Sequence, residues 1–275
     1  MNSEQTAKNG LKIFISVDME GITDVIHWDE IFEKRPDYEY FRKLMTAETN
    51  AAIEGALAAG ATEIVVRDAH ANARNLLAEE LHEAARLIRE WSGGPLGMME
   101  GIDHSFDAAI CIGYHAKAST PNAVLKHTWA GVVLDLKVNS VSLPELGWNG
   151  LIAGYYDVPI IFVAGDRAIC EQASQLFKKI DTVAVKEGIG SASINLHPKK
   201  SRELIQSGVS AALKHLEQFE PLKYSPPFRI ELHFKDETKA YRAGWYPNAI
   251  RVGQLGVALE ADDFFECVRF FSFCF

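Results

Sequence analysis

The sequence predicts an α/β protein with a central, mostly parallel sheet flanked by helices and a smaller C-terminal α+β portion. Three observations predict it. Short apolar runs at 11–17, 63–66, 108–112 and 159–164 alternate with longer amphipathic stretches, the pattern of a sheet covered by helices. The 275 residues are 48% hydrophobic and 24% charged, enough to bury a full core. The alternation stops after Asp181, where the chain reads as a strand, a long helix and then shorter strand-like pieces.

The first run, 11–17, is a strand. The helix expected over 37–59 repeats Phe41, Leu44, Met45, Ala52, Ile53, Ala56 and Leu57 at helical spacing, with Gly60 as its stop. Strands follow at 63–66 and 108–112, then a helix at 146–155, a strand at 159–164 and a helix at 166–177. Beyond these, 182–185 is expected as a strand, 198–219 as an amphipathic helix, and 228–234 and 257–259 as strands. The stretch 220–227, with Pro221, Pro226 and Pro227, is the best boundary in the chain, dividing it into 1–220 and a smaller 221–275. An apolar segment from Ala261, rich in phenylalanine, is compatible with a subunit interface or with a buried helix.

Charge excludes some partners. Lys and Arg number 28 against 37 Asp and Glu, a net of −9, so no nucleic acid and no anionic membrane is expected as a partner. Residues 1–10 are polar, and no stretch reaches the roughly 18 apolar residues of a membrane span. Cys111, Cys170, Cys267 and Cys274 are scattered without a C-x-x-C pair, which speaks against a disulfide framework and a thiolate zinc site. A cytoplasmic location is the expectation.

The most informative segment is Ile15-Ser16-Val17-Asp18-Met19-Glu20-Gly21, an apolar strand running into two carboxylates. In open α/β sheets, ligands bind beyond the carboxyl ends of strands, and strand alternation would put Asp18 and Glu20 on one side. A lone D-x-E more often caps a turn. Here the pattern recurs: one run ends in Arg67-Asp68-Ala69-His70 and another in Gly113-Tyr114-His115-Ala116. Two carboxylates and two histidines at successive strand ends point to oxygen and imidazole ligation without thiolate, which suits zinc, manganese or iron. Asp68 either orients the His70 ring or hydrogen-bonds its own turn.

These segments, together with Ala118-Ser119-Thr120-Pro121, Glu145-Leu146-Gly147 and Ala153-Gly154-Tyr155-Tyr156-Asp157-Val158-Pro159, resemble the zinc D-aminopeptidases of peptidase family M55. The motifs run in order over roughly residues 11–190. The resemblance implies a dinuclear zinc site of two Zn2+ per subunit with Asp18, Glu20, His70, His115 and Glu145 as ligands, Asp18 bridging. Glu145 enters only this way, because its position before a helix otherwise reads as a favourable charge at a helix N-terminus. The family's catalytic histidine falls on His127, although the stretch from His115 is one residue longer here, an insertion the loop 121–124 absorbs; His104 is the alternative. His27, His82, His197, His215 and His233 match no motif.

The implied activity is hydrolysis of short peptides or amides with an N-terminal D-amino acid, such as D-Ala-D-Ala, by a large homo-oligomer of five-fold rings. His127 would stabilise the oxyanion or protonate the leaving amine. Two other classes use similar ligands. A two-metal phosphoesterase would add basic residues for the phosphate, for which Arg67 and Lys117 stand nearest, and a non-catalytic oligomer would bind metal or peptide without turnover.

Overall fold

A computed structural model describes residues 10–275; the polar segment 1–9 lies outside the described residues. Eighteen elements follow one another along the chain. β1 (Leu11–Val17), α1 (Tyr38–Ala58), β2 (Ala61–Asp68), β3 (Ala85–Ile88) and β4 (Ala108–Tyr114) come first. Then come β5 (Val133–Val138), β6 (Val141–Ser142), α2 (Glu145–Tyr155), β7 (Ile160–Asp166), α3 (Arg167–Leu176), β8 (Asp181–Ile189) and β9 (Ala192–Asn195). The last are α4 (Pro198–Leu213), β10 (Phe228–Phe234), α5 (Glu237–Ala243), β11 (Ile250–Val252), β12 (Gly256–Ala261) and α6 (Phe264–Phe273).

Seven strands form the main sheet in the order β3-β2-β1-β4-β7-β8-β9, parallel except for the terminal β8–β9 pair. Parallel strands covered on both faces read as unbroken apolar runs, and every residue of β4 and β7 is buried. On β1 the pleat divides the core: Ile13, Ile15 and Val17 join the cluster under α1 and α4, and Phe14 the cluster under α2. The mostly parallel α/β architecture expected from the sequence is the one observed.

A second sheet, antiparallel, runs β11-β12-β10-β5-β6. It is assembled from both sides of position 220, because β10 pairs with β5 as well as with β12. The strands at 133–138 and 141–142 were not among the expected elements, nor were β3, β9, β11 and α5. All are short, and the strands among them are fixed by pairing with a neighbouring strand. The expected helix over 198–219 ends at Leu213, and a short 3-10 turn, Leu216–Gln218, follows it. The phenylalanine-rich end is a helix whose Phe264, Phe270 and Phe271 are buried, leaving Phe273 at 68% exposure. All four cysteines are free and buried, and no helix of the described residues is long and apolar enough to cross a membrane.

Candidate metal centre

Strand order explains the centre of the site. β1 lies between β2 and β4, all three parallel, and neighbouring strands run about 4.8 Å apart. The residue leaving β1 therefore sits between those leaving β2 and β4. Asp18 follows β1, His70 follows β2 and His115 follows β4. One Asp18 oxygen, Oδ1, lies 3.2 Å from His70 Nδ1, and the other, Oδ2, lies 3.5 Å from His115 Nε2.

Glu20 joins from the same segment, but not by strand alternation. β1 ends at Val17, and residues 18–21 form a turn tied to the end of β4 by Asp18 N–H to Ile112 O (2.8 Å) and Gly21 N–H to Gly113 O (2.7 Å). Gly21 is required by that closeness, since a Cβ there would stand 1.9 Å from Tyr114 O. The turn brings Glu20 Oε2 to 3.0 Å from His70 Nδ1. Glu145 is the first residue of α2, and its Oε1 accepts the Trp129 N–H at 2.5 Å and lies 3.6 Å from His115 Nε2. Trp129 takes a left-handed backbone, φ 61°, to aim that N–H.

All five side chains are buried. Two groups share Asp18, one with Glu20 and His70 and the other with His115 and Glu145, and a third joins Glu20 and His115 to His127; within each group the ligand atoms lie within 4.8 Å of one another. His127 completes the cluster from a loop, stacked on His115 with ring centres 4.2 Å apart, its Nε2 3.7 Å from Glu145 Oε1 and 3.9 Å from Glu20 Oε1.

The histidine tautomers are set from outside. A carbonyl oxygen can only accept, so each ring nitrogen facing one carries hydrogen. His70 Nε2 faces Ile31 O at 2.9 Å, His115 Nδ1 faces Ala116 O at 3.0 Å and His127 Nδ1 faces Leu125 O at 2.9 Å. The opposite nitrogen of each neutral ring is then a lone pair turned to the carboxylates. Lone pairs and carboxylate oxygens repel unless a cation or protons lie between them, and His115 Nε2 is buried without a hydrogen-bond partner. Backbone carbonyls that fix the far nitrogen are the usual support of a metal-ligating histidine.

Without a cation, protons must fill that role. Burial, with the charge of Glu20 beside it, pushes the Asp18 carboxyl well above the usual range. Burial also works against the Glu20 carboxylate, but the charge and hydrogen bond of His70 outweigh it and hold Glu20 well below the usual range. Burial opposes charge on His70 as well, yet Glu20 and Asp18 raise its pKa well above that of a free imidazole. Three carboxylates and three imidazoles with no thiolate fit zinc.

The centre opens into a cavity of about 520 Å³ walled by Trp28, Phe32, Trp91, Trp129 and Phe275. Sequence reasoning missed this wall, because its members come from loops and the chain end and carry no motif. Trp28 meets His127 edge-on and Phe32 lies beside His70. Neither basic candidate lines the cavity: Arg67 is buried with its guanidinium on Glu90 O and Gly97 O, and Lys117 donates to Ser142.

Other expectations resolve locally. Asp68 takes its turn role, accepting from Asn75 N, Asn75 Nδ2 and Leu76 N, while His70 is oriented by Ile31 instead. His104 is an exposed residue near Asp157. His27 and His197 cap helices, and His233 pairs with Glu231.

Fold and site together define an α/β protein built around a buried cluster of carboxylates and imidazoles at the carboxyl ends of parallel strands. The chain belongs to the D-aminopeptidase family, peptidase M55, whose family model matches residues 11–273, and it is a peptide hydrolase. It is 36% identical over 265 residues to a D-aminopeptidase of Bacillus subtilis (strain 168), covering 94% of each chain. It also superposes on the Zn-dependent D-aminopeptidase DppA from Bacillus subtilis, a self-compartmentalizing protease, with a TM-score of 0.91, 35% identity and 95% of each chain covered.

Proposed function

We propose that this chain is a dinuclear zinc aminopeptidase that hydrolyses short peptides or amides with an N-terminal D-residue, such as D-Ala-D-Ala. The observation that carries the reading is the pair of ligand groups sharing Asp18, a carboxylate whose two oxygens face different histidines. One zinc would be held by Asp18, Glu20 and His70, the other by Asp18, His115 and Glu145. Bound in such a pair, zinc supplies a water nucleophile near neutral pH and polarises a carbonyl.

The chain's own residues supply the rest. His127 has its Nδ1–H committed to Leu125 O, so it can donate at Nε2 only as an imidazolium. In that form Nε2 gives a hydrogen bond to the oxyanion or a proton to the departing amine.

The relative's self-compartmentalizing character supports a large homo-oligomer, for which five-fold rings are our proposal, with exposed Trp245 and Phe273 as apolar surface for contacts. Four buried free thiols suit a reducing cytoplasm. A phosphoesterase would need cations facing the phosphate, and no Arg or Lys lines the cavity among the described residues.

The test is to strip the protein with chelator, count zinc on reloading, and assay D-alaninamide, D-Ala-D-Ala, their L-isomers and a phosphate ester. Two zinc ions per chain and zinc-dependent cleavage of the D-substrates are expected. Phosphate-ester cleavage with the amides intact, or zinc loading with no turnover of any substrate, overturns the proposal.

A further inference from the structure

Lys186 lies on β8 and is buried. Its ammonium does not face a substrate. It donates to three backbone carbonyls of the segment following β1: Glu20 O, Ile22 O (3.1 Å) and Val25 O. Among the described residues no backbone N–H donates to Glu20 O or Val25 O. Three carbonyl dipoles aimed at one point repel each other and leave lone pairs buried without donors. A compact ammonium with three N–H groups answers that geometry, whereas a planar guanidinium does not.

The clamp acts on one half of the centre. One of the three carbonyls belongs to Glu20, so the clamp fixes the backbone from which that carboxylate reaches His70. The other half is held by different groups: Glu145 by the Trp129 N–H, the His115 ring by Ala116 O, and Asp18 by Ile112 O and its own bond from Met19 N. Of the five ligand residues, Glu20 is the one whose backbone carbonyl accepts from Lys186.

We propose that Lys186 is a positioning residue that holds Glu20 in place for the metal of the Asp18, Glu20 and His70 group. Its loss weakens that metal position selectively and leaves the Asp18, His115 and Glu145 position intact. The selectivity rests on the two-zinc reading above; the clamp on Glu20 does not.

The experiment compares the parent with Lys186→Met, Lys186→Gln and, as a reference for general destabilisation, Val209→Ala in the α4 core. Zinc retained per chain is titrated against a competing chelator, and the absorption bands of the cobalt-loaded proteins are recorded. In Lys186→Met one zinc is expected to bind roughly 10- to 100-fold more weakly, the range for losing support behind a ligand, with cobalt bands changed for that position. Lys186→Gln, which keeps donors without charge, gives a smaller loss of the same zinc and carries the test if the Met variant does not accumulate. Val209→Ala lowers Tm and keeps the parent's zinc affinity. Zinc affinity unchanged in both Lys186 variants overturns the proposal, and so does equal weakening of both zinc ions matched by Val209→Ala. A parent that binds one zinc sinks the dinuclear reading; weaker binding of that zinc in Lys186→Met still supports the clamp.

Discussion

Replacing Glu48 by Gln changes how stability depends on pH. Glu48 is buried on α1, accepts from Ser201 Oγ (2.5 Å) and Thr23 N (3.3 Å) through Oε1, and has no partner for Oε2. Burial raises its pKa from 4.5 to about 7, against the opposing pull of the Ser201 and Thr23 hydrogen bonds. The folded state therefore binds the Glu48 proton more tightly than the unfolded chain. The resulting stability is fully present below pH 4.5 and is lost as pH rises through 7.

The shift corresponds to about 3 kcal/mol, most of which disappears between pH 5 and pH 8. Gln cannot ionise, so Glu48→Gln removes that slope. It also replaces one O–H by two N–H groups beside an unpartnered position, an offset of about 1–3 kcal/mol that is the same at every pH. Urea unfolding of both proteins at pH 5, 6, 7 and 8 separates slope from offset. The variant is expected to gain on the parent by about 2–3 kcal/mol across that range. Parallel stability curves would refute the reasoning.

Three more outcomes are expected. Gly21→Ala forces a methyl against Tyr114 O and should cost about 1–3 kcal/mol; because Gly21 directly follows Glu20 in the turn, calorimetry should show a lower Tm and chelator competition weaker zinc binding. His127→Ala should lower kcat by roughly 10²- to 10⁴-fold while the zinc content, by elemental analysis, stays at the parent's value. Asp68→Ala deletes the acceptor of three hydrogen bonds in the turn after His70; chemical denaturation should register a loss of about 2–4 kcal/mol from the donors left buried.

Legibility in the sequence followed the kind of signal each element carries. α1, β4 and β7 were readable because their apolar patterns are long or unbroken, and β10 began and ended where expected. β5 and β6 were not, because short strands of mixed polarity become strands only when β10 lies beside β5 and β5 beside β6. At the site, Asp18, His70 and His115 were readable as ligand types after strands, the feature common to ligand sites in α/β sheets. Glu145 was not readable from local pattern, since a carboxylate opening a helix looks like a cap; only resemblance pointed to it. Trp28, Trp91 and Lys186 had no sequence signal of any kind.

The sequence by itself determined the parallel sheet and which side chains leave β1, β2 and β4, because apolar runs and the residues ending them are local properties of the chain. Tertiary structure alone decided that β1 lies between β2 and β4, which gives Asp18 a histidine on either side. It likewise decided that a buried ammonium from β8 grips the Glu20 backbone and that three loop carbonyls orient three imidazoles. The strand order, the ammonium clamp and the Ile31 carbonyl on His70 are encounters between segments tens of residues apart, set by packing and absent from any window of sequence.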